Sequence, residues 1–298
     1  GVGGGLRVGA GGVGVAVGVR AGRGGLVGVV GGGLIGCGVA ATLRTVGADV
    51  TLVDARPGPL GGPLGQQLSE RVRAWHETSG VRLLMGVGVA ELKGDGAVQT
   101  VLLTDGTTLP ADVVVVGVGV RPEIAWLGEE LARADGGVAV DLDGRSSVEG
   151  VYAAGDLAAV DGRRTEHVNA ALTQGARVAA AVVGAPPPAT EPEWFWSEQY
   201  DHTIHLSGLP AAGDVLVERT EPFAGFFLRD GIVQAVATID NGRDFRRALP
   251  LLGGRHDPAL LRDRTADLRK VRAGTVEAAG RGGESGTREE GGGGPERG

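Results

Sequence analysis

Between Leu26 and Asp54 the chain passes from an apolar run (Leu26–Val30) to a glycine cluster, Gly31-x-Gly33-x-x-Gly36. A helix-forming stretch then leads to Val46, and a second apolar run, DVTLVD (Asp49–Asp54), closes on an acid. No other feature constrains the fold as much, because each glycine has a separate task. The first permits a tight turn, the second lets backbone approach a pyrophosphate, and the third lets helix and strand pack closely. A helix opening at this point offers unpaired N–H groups and a partial positive charge to phosphates. The expected cradle is Gly31, Gly33, Leu34, Ile35 and Gly36, with Asp54 placed to accept both hydroxyls of an adenine ribose. A carboxylate there repels a 2′-phosphate, so NADH is favoured over NADPH. Arg56 reads as a solvated loop charge with a secondary capacity to offset that repulsion.

The pattern continues in the same class. Gly47 is the expected helix stop, Leu64–Ser79 fits an amphipathic helix with Leu68, Val72 and Trp75 on one face, and Val81–Val87 is a third strand. Asp105-Gly106 marks a hairpin between Ala97–Leu103 and Thr107–Leu109, and Val113–Val116 is a strand buried on both faces. Residues 26–119 are therefore expected to form a doubly wound α/β, Rossmann-type NAD domain with a β-meander. Residues 120–192 hold GVYAAGD (Gly150–Asp156), read as a strand, a long helix from Glu166 to Val183, and the stiff linker around Pro186, Pro187 and Pro188. All five Phe lie between Phe195 and Phe245, beside Trp194 and Trp196, so residues 193–272 are expected to form a small α+β domain with its own core. Asp230-Gly231 is its hairpin turn, and a short helix follows Asn241.

Glycine accounts for 57 of 298 residues, against an average of about 7%. Residues 1–25 read as a Gly-rich low-complexity segment and 273–298 as a disordered tail, since neither has enough side chain to offset ordering entropy. A net charge of −7 argues against nucleic acid or an anionic membrane as partner. No apolar run approaches the ~20 residues of a membrane span, and a cytoplasmic protein is expected. His167, His202 and His205 show no metal-ligand spacing.

The segments VVGGGLIG (Val29–Gly36), AATLRTVGADVTLVD (Ala40–Asp54), GVGVRPE (Gly117–Glu123) and GVYAAGD resemble one family, as do EHVNAALTQG (Glu166–Gly175) and EWFWSEQYD (Glu193–Asp201). FFLRDGIVQAV (Phe226–Val236) and NGRDFRRAL (Asn241–Leu249) extend the likeness. The family is that of the putidaredoxin-reductase-like NAD(P)H:ferredoxin reductases, in the FAD-dependent pyridine nucleotide-disulfide oxidoreductase superfamily. The resemblance implies FAD and NAD as cofactors, hydride transfer from NADH to flavin, and single-electron delivery to a ferredoxin-type iron–sulfur protein. No catalytic side chain is then required.

By the same resemblance, residues 120–192 are part of an FAD domain. Gly117, Gly119, Gly155 and Asp156 belong to the cofactor sites, with Asp156 near the flavin's ribityl chain. The start of the helix at His167 and Val168 would aim at the flavin's N1/O2 edge, and Trp196 would lie near the flavin pocket. Trp194 is expected in the core. The sequence departs from the family in lacking the first half of the FAD domain. Gly9-x-Gly11-x-x-Gly14 imitates its fingerprint, but 17 residues to Gly31 are too few for a βαβ unit of ~30. Gly38 replaces a glutamate and Val168 a tryptophan. Cys37 stands alone, which excludes the disulfide-reductase branch. Two alternatives remain open: a non-catalytic NAD-binding fragment, and an NADH oxidase or nitrite-reductase-type flavoprotein.

Overall fold

The computed structural model describes residues 25–189 and 192–271, together with two short antiparallel strands, β1 (Leu6–Val8) and β2 (Val15–Val17). Apart from those strands, the readings of 1–25 and 273–298 lie outside the described residues. β3 (Leu26–Val30) leads into α1 (Leu34–Thr45), whose apolar face buries Cys37, Val39, Ala40 and Leu43. Gly47, at φ 90°, ends this helix by a conformation that side-chain-bearing residues resist. β4 (Asp49–Asp54) follows, then α2 (Gly61–Thr78), which is kinked after its first turn at Gly65 (φ 71°), and β5 (Arg82–Met85). The meander is β6 (Val89–Lys93), β7 (Thr100–Leu103) and β8 (Thr108–Pro110), and β9 (Val113–Val116) closes the unit. The parallel sheet has the order β5-β4-β3-β9 and the meander forms a separate antiparallel sheet, but β9 is not covered on both faces as expected: Val115 is buried and Val116 is exposed.

Next come β10 (Arg133–Ala134), β11 (Gly137–Val140), β12 (Ala158–Val160), β13 (Arg163–Arg164) and α3 (Val168–Val183). GVYAAGD is not a strand. It makes one isolated bridge, Tyr152 to Arg145, and then a 3-10 turn over Gly155–Leu157. Gly155, at φ 78°, breaks the extended path, and the next residues, in β12, pair with β11 instead.

The C-terminal sheet orders β14 (Trp194–Gln199), β15 (His202–Gly208), β18 (Ile232–Ile239), β17 (Ala224–Arg229) and β16 (Val215–Arg219), all antiparallel. One face is covered by α4 (Gly242–Ala248) and α5 (Pro258–Arg262), and there Phe226, Val236, Phe245 and Leu261 form a core of the domain's own. The opposite face is shared. Ile204, Leu206, Phe227 and Ala237 run into one continuous apolar cluster with Val39, Leu43, Leu64, Leu68 and Val72 of α1 and α2. The expectation of a separate core therefore holds for one face only.

Polar and aromatic contacts finish this junction. Trp75 stacks on His202 with ring centroids 4.2 Å apart, and Tyr200 Oη lies 2.8 Å from Nδ1 of the fully buried His76. Burial pushes the His76 imidazole down to about 4, an effect that the neighbouring Gln199 amide offsets only in part. The neutral ring is thus the one the fold accepts. Between pH 6.5 and about 4 the unfolded chain takes up a proton that the native state refuses, so stability should fall as pH falls through this window. The shift corresponds to a loss of roughly 3 kcal/mol by pH 4. Urea unfolding across this range should show the slope in the native chain and a shallower one in His76→Gln.

Candidate cofactor site

The end of β3 and the start of α1 are held by backbone contact. Gly31 has φ 102°, and a Cβ on it would strike the Gly117 carbonyl at the end of β9. A Cβ on Gly36 would fall inside the Gly31 carbonyl. At Gly33 a Cβ would meet only the Arg56 guanidinium, at 3.7 Å, so the space above this residue is free of backbone. Turn, open approach and helix–strand packing thus fall on the three glycines in the expected order. No side chain caps α1 at Gly33, which leaves the N–H groups of Leu34, Ile35 and Gly36 without intrahelical partners. The Cys37 thiol behind them is buried and pushed up to about 12, so it stays a neutral packing group.

Asp54 sits at the same rim, because β3 and β4 are parallel and Val30 pairs with Val53. Its carboxylate is buried and accepts from the Gly32 N–H and from the backbone and side chain of Arg56. Burial pushes the Asp54 carboxyl up, but the hydrogen bonds from Arg56 and Gly32 outweigh it and hold the group below the ordinary range. It is a carboxylate at neutral pH. Arg56, expected as a solvated loop charge, is instead its ion-pair partner at 2.8 Å.

A second group gathers at the N-terminus of α3. His167 is the cap: its Nδ1 accepts from the Ala170 N–H at 3.1 Å, and burial pushes its imidazole down, toward the neutral form that can accept. Val168 is the first helical residue and is exposed. The Gln174 side chain accepts from the Gly155 N–H at 2.7 Å, so the 3-10 turn is tied to the helix. Asp156 is exposed and its carboxylate takes no hydrogen bond among the described residues. Asn169 donates to the Trp194 carbonyl at 3.0 Å and joins the helix start to β14.

The aromatic prediction divides. Phe195, not Trp196, is the ring beside His167, with centroids 6.0 Å apart. Trp196 lies on the other face of β14, next to Trp194 (5.8 Å), and is 39% exposed. Trp194 packs on Phe245 and His205, a core position as expected. Gly117 belongs to the first group through its contact with Gly36; Gly119 (φ 112°) follows in the exposed loop. Gln174 and Asn169 escaped sequence reasoning. Gln174, seven residues after His167, is on the same helical face, which is the one available signal.

Residues 8–175 match the pyridine nucleotide-disulphide oxidoreductase family, and residues 194–272 match the reductase C-terminal family. The chain belongs to the pyridine nucleotide-disulphide oxidoreductase family. It is 36% identical over 262 residues to the 5,5'-dehydrodivanillate O-demethylase ferredoxin reductase subunit of Sphingobium sp., covering 82% of this chain and 63% of that one. It is 36% identical to the biphenyl dioxygenase system ferredoxin–NAD(+) reductase component of Paraburkholderia xenovorans, covering 76% of this chain and 58% of that one. The crystal structure of the covalent putidaredoxin reductase–putidaredoxin complex superposes with a TM-score of 0.77 at 30% identity, covering 82% of this chain and 62% of that one. This member of the family therefore spans a little over half to two thirds of the relatives it matches. Among its described residues no helix is long and apolar enough to cross a membrane.

The glycines of this cradle make opposite demands. Gly36→Ala should cost at least about 3 kcal/mol of stability, because backbone must move. Gly33→Ala should fold with a loss within about 1 kcal/mol, yet weaken dinucleotide binding roughly tenfold or more. Denaturant melts and dinucleotide titrations on both variants check the contrast.

Proposed function

We propose that this chain is the nicotinamide-binding and C-terminal part of a FAD-dependent NAD(P)H:ferredoxin reductase. Its reaction takes a hydride from NADH to flavin and passes electrons to a ferredoxin-type iron–sulfur protein. The observation that carries the reading is the pairing of the two sites on one scaffold. One is a glycine cradle with a buried acceptor carboxylate; the other is a helix start beside an exposed Asp156 whose carboxylate takes no hydrogen bond among the described residues. The names of similar proteins, ferredoxin reductase subunits and components, support the choice of acceptor.

In this reading the N–H groups of Leu34, Ile35 and Gly36 hold the NADH pyrophosphate, and Asp54 accepts from the adenine ribose. Gly31 and Gly117 set the floor of the cradle, and Gly119 shapes the loop that follows. Gly155 and Asp156 bind the flavin's side chain, the Asp156 carboxylate accepting from its hydroxyls. FAD, when bound, supplies the conversion of a two-electron donor into one-electron deliveries. The N–H groups at Val168 and the α3 dipole would favour negative charge at the ring's edge, with neutral His167 fixing the helix start. Phe195 borders this region from β14, with Trp196 on the opposite face of the strand. Cys37, buried and neutral, takes no part. A cytoplasmic setting, where reduced dinucleotide is abundant, fits this chemistry.

The second reading, a fragment that binds NAD without retaining flavin, is separated from the first by experiment. The NADH oxidase and nitrite-reductase-type alternatives have less support, since the aromatic C-terminal domain matches the reductase C-terminal family. Purified chain should quench its tryptophan fluorescence on NADH titration. It should show the visible flavin band after incubation with FAD, and reduce cytochrome c only when ferredoxin is added. NADH binding without flavin uptake would select the fragment. Unchanged fluorescence and melting point with NADH would end the assignment.

A further inference from the structure

Asp54 presents a puzzle that the dinucleotide reading alone leaves open. A carboxylate has about four acceptor positions, and here all four are taken. The Gly32 N–H donates to Oδ2 at 2.5 Å and the Arg56 N–H to Oδ1 at 2.7 Å. The Arg56 side chain fills the rest, with Nε 3.1 Å from Oδ1 and Nη2 2.8 Å from Oδ2. A ribose diol therefore finds no free acceptor until the guanidinium leaves.

We propose that Arg56 is the residue that sets this site's choice between NADH and NADPH, by occupying the Asp54 carboxylate until the nucleotide arrives. The inference rests on the reading of α1 and β4 as a dinucleotide site. Three observations carry it. First, the guanidinium lies over the cradle itself, 3.7 Å from where a Gly33 Cβ would be, so it stands between the carboxylate and the phosphate seat. Second, its only hydrogen-bonding partner among the described residues is Asp54, and its side chain is 47% exposed, so nothing else anchors it. Third, Pro57 follows and restricts the Arg56 backbone, which keeps its N–H on Oδ1 while the side chain alone moves.

The two nucleotides then meet different sites. NADH must displace two charge-assisted hydrogen bonds before its ribose hydroxyls can donate to Asp54, and the released guanidinium turns to solvent. NADPH brings a 2′-phosphate to a guanidinium already in place. The planar fork of Arg suits that group, and the existing pair neutralises the carboxylate that would otherwise repel it. One side chain thus weakens the first ligand and admits the second.

The test is calorimetric titration of NADH and NADPH into the full chain and into Arg56→Gln and Arg56→Lys, with melting temperatures taken to verify folding. The native chain should bind both nucleotides with affinities within about tenfold of each other. Arg56→Gln should bind NADH roughly three- to tenfold tighter and NADPH at least about tenfold weaker. Arg56→Lys, which keeps the charge, should retain NADPH affinity within about threefold and, having lost the fork, gain for NADH. If Arg56→Gln leaves the NADPH:NADH affinity ratio unchanged, or if the native chain binds NADH but no NADPH, the role assigned to Arg56 is wrong while the dinucleotide site stands. If the native chain binds neither nucleotide, the site reading falls and takes this inference with it.

Discussion

The backbone of Gly36 lies so close to the carbonyl of Gly31 that even a methyl group between them would require the helix or the strand to move. This contact, closed from the other side by Gly117, pins the first turn of α1 to the ends of two adjacent parallel strands. Everything the site can do follows from that placement. The unpaired N–H groups at the helix start and the carboxylate at the end of β4 share one rim because parallel strands bring their C-terminal ends together. An antiparallel neighbour would have put the acid at the far edge of the sheet.

The same helix has a second commitment. Its outer side and that of α2 pack on the C-terminal sheet, so the cluster that supports the cradle is also the inner face of the last domain. The junction is not purely apolar. His76 is fully buried beside the Gln199 amide, and among the described residues neither its Nε2 nor the Gln199 Oε1 completes a well-formed hydrogen bond. Buried polar atoms without partners cost stability, and they make the seam sensitive to protonation in a way that leucines would not. The Trp75–His202 stack and the Arg71 guanidinium 4.5 Å above the Phe223 ring add aromatic and cation–π contacts along it.

At the other site the logic is that of a helix end. The start of α3 is capped by an imidazole that burial keeps neutral, which leaves the helix dipole without a competing cation at the cap. Asp156 faces solvent with no partner among the described residues, whereas Asp54 is buried with four donors. The two acids are in opposite electrostatic states, although each stands near a glycine and near the start of a helix.

The sequence by itself determined the βαβ order, the strand and helix limits around the cradle, the separate work of Gly31, Gly33 and Gly36, and the position of Asp54. These are local consequences of apolar period, of positive φ at Gly31 and of the missing Cβ at Gly33 and Gly36, and the motif's spacing carries them. Only the tertiary structure decided the rest. GVYAAGD reads as a strand from composition, but β11 takes Ala158–Val160 as its partner and leaves the motif as a turn. The aromatic run alternates across β14, so Phe195 and Trp196 part to opposite faces, a matter of register that the letters WFW do not carry. His76 meets Tyr200 across 124 residues, and Arg56 turns back on Asp54 rather than to solvent. Such pairings depend on which surfaces the packed chain brings within a few ångströms, and no short window of sequence contains that information.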